Sequence, residues 1–530
     1  MKPKTELFFP QVNRQSRTAF GVTIICMLVT HLYMFTNKLV NHDDVNRLIS
    51  GDTDEVKIQH GRWAGVLLDR ISGSSFGIPY VLGMLSLLAF ALTAVLLVSV
   101  FRLQNRGIII LCCALLSTFP VSANIFLYSY IADAYFFSML LAIWGIWLFL
   151  QGSWLQMGMG ILLLTLSCGT YQAFWCLGMG VLFLYYLLEY LRWADKAKVL
   201  GYRIIKSLAG ASVSLVLYLI INWAVQAFTG YGATSYKGLD TMGQFDGALG
   251  LLRVTAGAYY EFVRFFYLRG SFVTSPVLVV FNVLLTLLVI GLMIYQGKSR
   301  KNTLWFWIGL VLIIGFLPFS FNLVSVVSKN ATHALMQYAF VLPYLLCLIL
   351  LDRFTVPRGK VFMERCRKGI IAVACILLGI IAYKGYLTDN EIYFRQQLYY
   401  EQAYSYTLRM LSRIEEMPDY DSSVPVALIN ETPQGGDHIS ILMENYPEDM
   451  LKLSYLDEMV GTEPYTLVKR ANDVADFCKY YHGYDLRMAD MEDLPSLAKS
   501  DAFAKMPTYP QEGSMQYIQG VLVVKLPDAK

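Results

Sequence analysis

Long apolar runs recur along this 530-residue chain, separated by short polar connections. Eleven of them approach the length of about 20 residues that a helix needs to cross a bilayer. They cover 18–36, 78–101, 107–124, 133–150, 154–170, 172–190, 204–228, 274–296, 303–320, 334–351 and 369–387. The pattern predicts an α-helical polytopic membrane protein with about 11 transmembrane helices. The connections at 151–153 and 171 are so short that the fourth to sixth spans have the least defined ends. The first run follows Arg14 and Arg17 and lacks a small-residue cleavage site. It therefore reads as an uncleaved span rather than a signal peptide.

Two stretches depart from this pattern. In the connection 229–273, Leu249, Leu252, Tyr259, Phe262, Phe265 and Phe266 mix with Arg253, Glu261, Arg264 and Arg269. That mixture predicts an interfacial amphipathic helix or a re-entrant segment, which either caps the bundle or shapes a substrate cleft. Beyond 387 the apolar runs stop. Residues 389–417 predict a helix running off the last span. The runs 424–429 and 520–525 predict strands, with helices and turns between them. The expected organisation is a membrane domain over 1–387 and a small α/β domain over 388–530. No Walker loop, dinucleotide fingerprint, hydrolase elbow or internal repeat occurs.

Composition agrees with the pattern: 56% of residues are hydrophobic and 15% charged, too little charge for a soluble chain of this size. Most of the nine cysteines fall in or beside apolar runs, without metal-site spacing, so no disulfide framework is expected. Charge is divided unevenly. Residues 1–387 hold 31 Lys+Arg against 15 Asp+Glu, and residues 388–530 hold 12 against 24. Basic residues cluster in alternate connections, around 102–106, 192–206, 298–301 and 353–368, and at the N-terminus. The positive-inside rule makes these cytoplasmic. The loops 37–77, 229–273 and 321–333 then face outward, as does the C-terminal domain. An odd number of spans is consistent with both ends. Nothing resembles a nucleic-acid footprint.

The candidate chemistry gathers on that outer face. Asp43 and Asp44 follow the first span directly, in Asn41-His42-Asp43-Asp44, and His60-Gly61-Arg62-Trp63 lies in the same loop. Adjacent carboxylates beside a low-dielectric region suit a general base, or oxygen ligation of a divalent cation such as Mg²⁺ or Mn²⁺. Asp52, Asp54 and Glu55 read as a solvated loop. Arg62 offers a planar fork to phosphate, and Trp63 a face for a sugar or an interfacial anchor. Asp133 opens the fourth span. It either faces a wet cavity or serves the helix N-terminus. Tyr171 and Gln172 lie at the break between two spans, and His333 begins the tenth, again on the outer side.

These residues resemble the GtrII family of bacterial glucosyltransferases, within the polytopic glycosyltransferases of GT-C fold. The likeness runs in order through Asn41-His42-Asp43-Asp44, Gly61-Arg62-Trp63, Tyr130-Ile131-Ala132-Asp133-Ala134-Tyr135, 166–174 and Tyr399-Tyr400-Glu401-Gln402-Ala403-Tyr404. It covers residues 18 to about 415. The resemblance implies an enzyme of the bacterial cytoplasmic membrane that moves a hexosyl unit, usually glucose, from a polyprenyl-phosphate carrier to a surface glycan. It also implies a flippase and a donor synthase as partners. The base role falls on Asp43 or Asp44, with Asp44 favoured, in a single inverting displacement. Arg62, with Arg264 or Arg269, would neutralise the departing phosphate. His42, His60, Trp63, Asp133, Tyr171, Gln172 and His333 would line the substrate site.

Competing readings are a transporter of lipid-linked glycan and a glycan polymerase or ligase. A transporter would place charged or broken helices near mid-membrane, often in repeated halves, whereas here the polar residues sit at the outer mouth. A polymerase would carry more arginines in its large outer loop.

Overall fold

The computed structural model describes residues 8–37, 54–73, 78–193, 197–234, 247–268, 276–298, 304–357, 359–433, 439 and 470–528. His42, Asp43, Asp44 and Arg269 lie outside the described residues. The chain is mostly helical, with a small C-terminal sheet.

Among the described residues, eight helices are long and apolar enough to cross a membrane. In chain order the helices begin with α1 (Arg14–Thr36), two short helices α2 (Asp54–Gln59) and α3 (Trp63–Ser72), α4 (Pro79–Phe101), α5 (Arg106–Ser117) and the short α6 (Val121–Phe126). Then come α7 (Ala132–Gln151), α8 (Trp154–Thr170), α9 (Gln172–Trp193), α10 (Ala197–Thr229), α11 (Gly247–Tyr267), α12 (Pro276–Lys298), α13 (Leu304–Phe321) and α14 (Leu323–Val327). The series closes with α15 (Leu342–Asp352) and α16 (Val361–Glu415). Each of the eleven expected spans coincides with a helix, but three of those helices are shorter than a span. The run 107–124 breaks after Ser117, because Pro120 cannot continue the ladder and biases Phe119 away from helical angles; the chain resumes as α6. The run 334–351 starts with two 3₁₀ turns, and α15 is regular only from Leu342. Trp154–Thr170 is the third.

The bundle is centred on α7, which packs on α4, α8 and α9. Small residues bring these backbones together. A Cβ added to Gly145 on α7 would meet the Gly160 carbonyl oxygen of α8 at 2.9 Å. Without side chains at this crossing the two helices touch directly, as small-residue stripes permit in membranes. The expected amphipathic segment is the helix α11, which buries Ala258, Phe265 and Phe266. Asn322 donates to the Ala258 carbonyl at 2.9 Å and Asn282 to the Phe266 carbonyl at 2.9 Å.

The last helix, α16, runs for 55 residues without a break, about 80 Å at 1.5 Å per residue. A bilayer core takes about 20 of them. The remainder carries a buried stripe at Gln396, Tyr399, Ala403, Thr407, Met410 and Ile414, spaced three or four residues apart as one helix face requires. The C-terminal domain docks on this face: Phe477 meets Tyr400 at 6.0 Å between ring centroids, and His482 meets Tyr404 at 4.6 Å. Its sheet holds β1 (Val426–Asn430), β2 (Met515–Ile518) and β3 (Val521–Leu526) in the order β1-β3-β2. The two expected strands are β1 and β3, paired parallel with Val426 opposite Leu522. Parallel pairing demands a long crossover, and the helices between the two strands supply it. Strand β2 is antiparallel to β3 and was not expected.

Candidate active site

The loop between α1 and α4 is, over its described residues 54–73, a small folded unit. Lys57 on α2 is ion-paired with Asp69 on α3, and both side chains are nearly buried. This pair holds the two short helices together. Between them the chain turns at Gly61, whose φ of +69° falls in the left-handed region, which favours glycine. Space demands glycine as well: a Cβ there would lie 2.5 Å from the Tyr218 hydroxyl and 3.1 Å from Gln172 Nε2.

The turn is tied to the helices beneath it. Gln172 Nε2 donates to the His60 carbonyl at 2.9 Å and to the Tyr218 hydroxyl at 3.0 Å. Gln226 Nε2 donates to the Ile58 carbonyl at 3.1 Å. The polar break between α8 and α9 thus acts as a mooring point for the loop. Hydrogen bonds from Ser138 on α7 to the carbonyls of Ser167 (2.9 Å) and Tyr171 (3.2 Å) fix that break in turn.

Arg62 and Tyr171 meet at this junction. The guanidinium carbon of Arg62 lies 4.8 Å from the Tyr171 ring centroid, within cation–π range. Tyr171 also packs on Tyr135, with centroids 4.4 Å apart. Arg62 is half-buried. Trp63 is placed differently from the expectation of a sugar-stacking face or an interfacial anchor. It is 8% exposed and packs on Gly169, where a Cβ would approach the indole to 2.6 Å. Its ring is wall, in a cluster with Ala64, Cys168 and Tyr218.

Asp133 lies in the first turn of α7, under the loop, and is wholly buried. Ser72 and the Ala134 amide approach its carboxyl, and the charges of Lys57 and Asp69 act on it. Neither carboxyl oxygen closes a well-aligned hydrogen bond among the described residues. A helix N-terminus favours negative charge there, yet burial without full hydrogen bonding is costly. Polar groups held so are common where a ligand completes the set.

The structure therefore brings His60, Arg62 and Trp63 of this loop together with Asp133, Tyr171 and Gln172 of the helices beneath it. Arg264 and His333 belong to other elements. Arg264 lies on α11, paired with Glu261 at 3.7 Å. His333 caps a 3₁₀ turn that packs on α6. Among the described residues no three of His, Cys, Asp and Glu gather as a metal site; the Asp43-Asp44 pair lies outside those residues.

A second buried polar group was not anticipated. His31 on α1 and Tyr393 on α16 join at 2.7 Å, and the other ring nitrogen of His31 meets the Ser117 carbonyl at 2.8 Å. A carbonyl only accepts, so Nε2 carries the proton and Nδ1 accepts from the tyrosine. One turn before Tyr393, Asp389 is fully buried, with both carboxyl oxygens lacking a hydrogen bond. Phe126 lies against His31 and against Phe136 of α7, both at 4.8 Å. A signal existed: Gly385, Asp389, Ile392 and Gln396 follow the helical spacing of the buried face.

No curated protein and no solved structure matches the chain. The model of one family, glucosyl transferase GtrII, matches residues 32–350, which include the loop 37–77, Asp133, Tyr171, Gln172 and His333. The chain belongs to the GtrII glucosyltransferase family.

Proposed function

We propose that this membrane glycosyltransferase uses a polyprenyl-phosphate-linked hexose, glucose by preference, as donor and a cell-surface glycan as acceptor, on the extracytoplasmic face. In this reading Asp43 or Asp44 takes the proton from an acceptor hydroxyl. The oxygen attacks the anomeric carbon, the carbon–oxygen bond to phosphate breaks, and the lipid phosphate leaves with the electron pair. One displacement inverts the anomeric centre. Arg62, braced by Tyr171, meets the charge that develops on the phosphate. Asp133 accepts a hydrogen bond from a sugar hydroxyl.

The observation that carries this reading is the gathering of Arg62, Tyr171, Gln172 and Asp133 under one loop of a family member. A lipid-linked donor also agrees with the lack of any nucleotide-binding motif. Arg264 and Arg269 remain reserve cations for the phosphate. If Asp43 and Asp44 instead hold Mg²⁺ or Mn²⁺, chelation abolishes transfer and the ion restores it. The test is transfer of labelled hexose from a synthetic polyprenyl phosphate by Asp43→Asn and Asp44→Asn separately. At least one substitution abolishes transfer while insertion is retained. Full activity in both removes the pair from catalysis. A reporter fused near residue 390 should be active only outside the cell, and a cytoplasmic signal would overturn the topology.

A further inference from the structure

The extension of α16 carries a second cleft, on elements other than those that form the candidate active site. It opens between one face of the helix and the loop at Tyr509–Pro510, with a volume of about 690 Å³, within the range of small-molecule sites. Its walls include Tyr406, Arg409, Ser412, Arg413, Tyr509 and Pro510. Tyr406, Arg409 and Arg413 share a helix face, being three and four residues apart.

Four features give this cleft the character of a binding site. First, its charge opposes its surroundings: residues 388–530 hold 24 acidic against 12 basic side chains, yet among the described residues the cleft is lined by two arginines and no carboxylate. Second, like charges four residues apart repel across one helical turn. Neither arginine enters an ion pair among the described residues. Third, Arg413 is fixed rather than free. It donates to the Pro510 carbonyl, and its guanidinium lies 5.6 Å from the Tyr509 ring centroid. Fourth, Tyr406 and Tyr509 meet edge to face at 5.3 Å, and the Tyr406 hydroxyl is enclosed without a hydrogen bond among the described residues.

Two guanidinium forks beside two tyrosine rings recognise anionic oxygens carried on a ring with an apolar face. We propose that this cleft binds an anionic glycan segment, a sugar chain bearing phosphate or carboxylate groups, and so holds the polymer that the membrane site glycosylates. Its identity as acceptor rests on the proposed transferase reading; its binding does not. Arg409 lies 16 residues beyond Tyr393, which meets His31 of the first expected span, roughly 24 Å along the helix at 1.5 Å per residue; a lipid headgroup is the competing outcome of the test.

The test is calorimetric titration of the full-length protein in detergent, without donor, with three oligosaccharides of equal length: phosphate-bearing, uronic-acid-bearing and neutral. At least one anionic chain binds ten-fold or more tighter than the neutral one, and the better of the two identifies the anion. The double variant Arg409→Gln, Arg413→Gln lowers that affinity to the neutral level. Equal binding of all three chains by the unaltered protein, or an unchanged affinity in the double variant, overturns the proposal. So does competition by phosphatidylglycerol vesicles, which would make the ligand a headgroup. Because no sugar is transferred, this result stands apart from the fate of the Asp43 and Asp44 variants.

Discussion

Gln172 donates to the carbonyl of His60 at 2.9 Å, and through this bond the break between α8 and α9 holds the loop that joins α1 to α4 in place. The same amide reaches the Tyr218 hydroxyl. The loop's position thus depends on a side chain from a different part of the chain, and on Gly61 letting the two come close.

Gly61→Ala should therefore act on activity through position. The left-handed backbone costs a non-glycine residue about 1–2 kcal/mol, and the new methyl would collide with the Tyr218 hydroxyl. Transfer is expected to fall while the protein still inserts, and limited proteolysis should cut within 54–73 faster than in the unaltered protein. Gln172→Leu should show the same direction more weakly. A loop as resistant as before would mean that the turn is not held by these contacts.

Arg62→Ala should weaken donor use more than acceptor use. The loss expected for a group that meets transition-state charge is about 100-fold in kcat/KM for the donor. Arg62→Lys keeps the charge but loses the planar contact with Tyr171, and should recover only part of the activity. Kinetics with varied donor and fixed acceptor, and the reverse, separate the two. Equal loss toward both substrates would make Arg62 a packing residue.

Asp133→Asn should divide function from stability. The amide is nearly isosteric and removes a charge whose burial costs several kcal/mol unless it is paired. Thermal stability in detergent should hold or rise, while transfer drops by about tenfold or more, since a carboxylate accepts more strongly than an amide. If Asp133 serves only the helix N-terminus, the midpoint should fall instead and turnover should stay.

The spans were legible because lipid demands unbroken apolar helices, and that demand is written locally. Helix ends were less so: α5 stops at Ser117 because of Pro120, inside a run that hydropathy alone extends to 124. The proximity of Arg62, Asp133, Tyr171 and Gln172 was expected from the alternation of basic connections, which sets their loops apart from the basic ones. Trp63 did not follow, because its burial depends on the missing side chain of Gly169, a tertiary fact. Asp389 escaped for a related reason. Hydropathy ends the last span at 387, whereas the packing stripe of α16 continues through Asp389 to Ile414.

The docking of the C-terminal domain on α16 should weaken in mild acid. Thr407 donates to the Ala403 carbonyl at 2.7 Å and meets His482 Nε2 at 2.8 Å. With its own proton committed, the threonine accepts, so Nε2 carries the histidine proton. The other nitrogen, Nδ1, is buried without a hydrogen bond, and protonating it would strand a donor. Burial accordingly lowers the His482 pKa below its usual 6.5. A lowered histidine pKa means that the undocked domain binds the proton more readily. The stabilisation is complete above about pH 6.5, is lost as pH falls toward the docked value, and is constant below it. Hydrogen exchange of the amides in 471–482 should be slow at pH 7.5 and faster at pH 5 after correction for intrinsic rates. His482→Gln should flatten that dependence, with its amide nitrogen replacing the bond to Thr407. An equal pH dependence in the variant would assign the effect to another group.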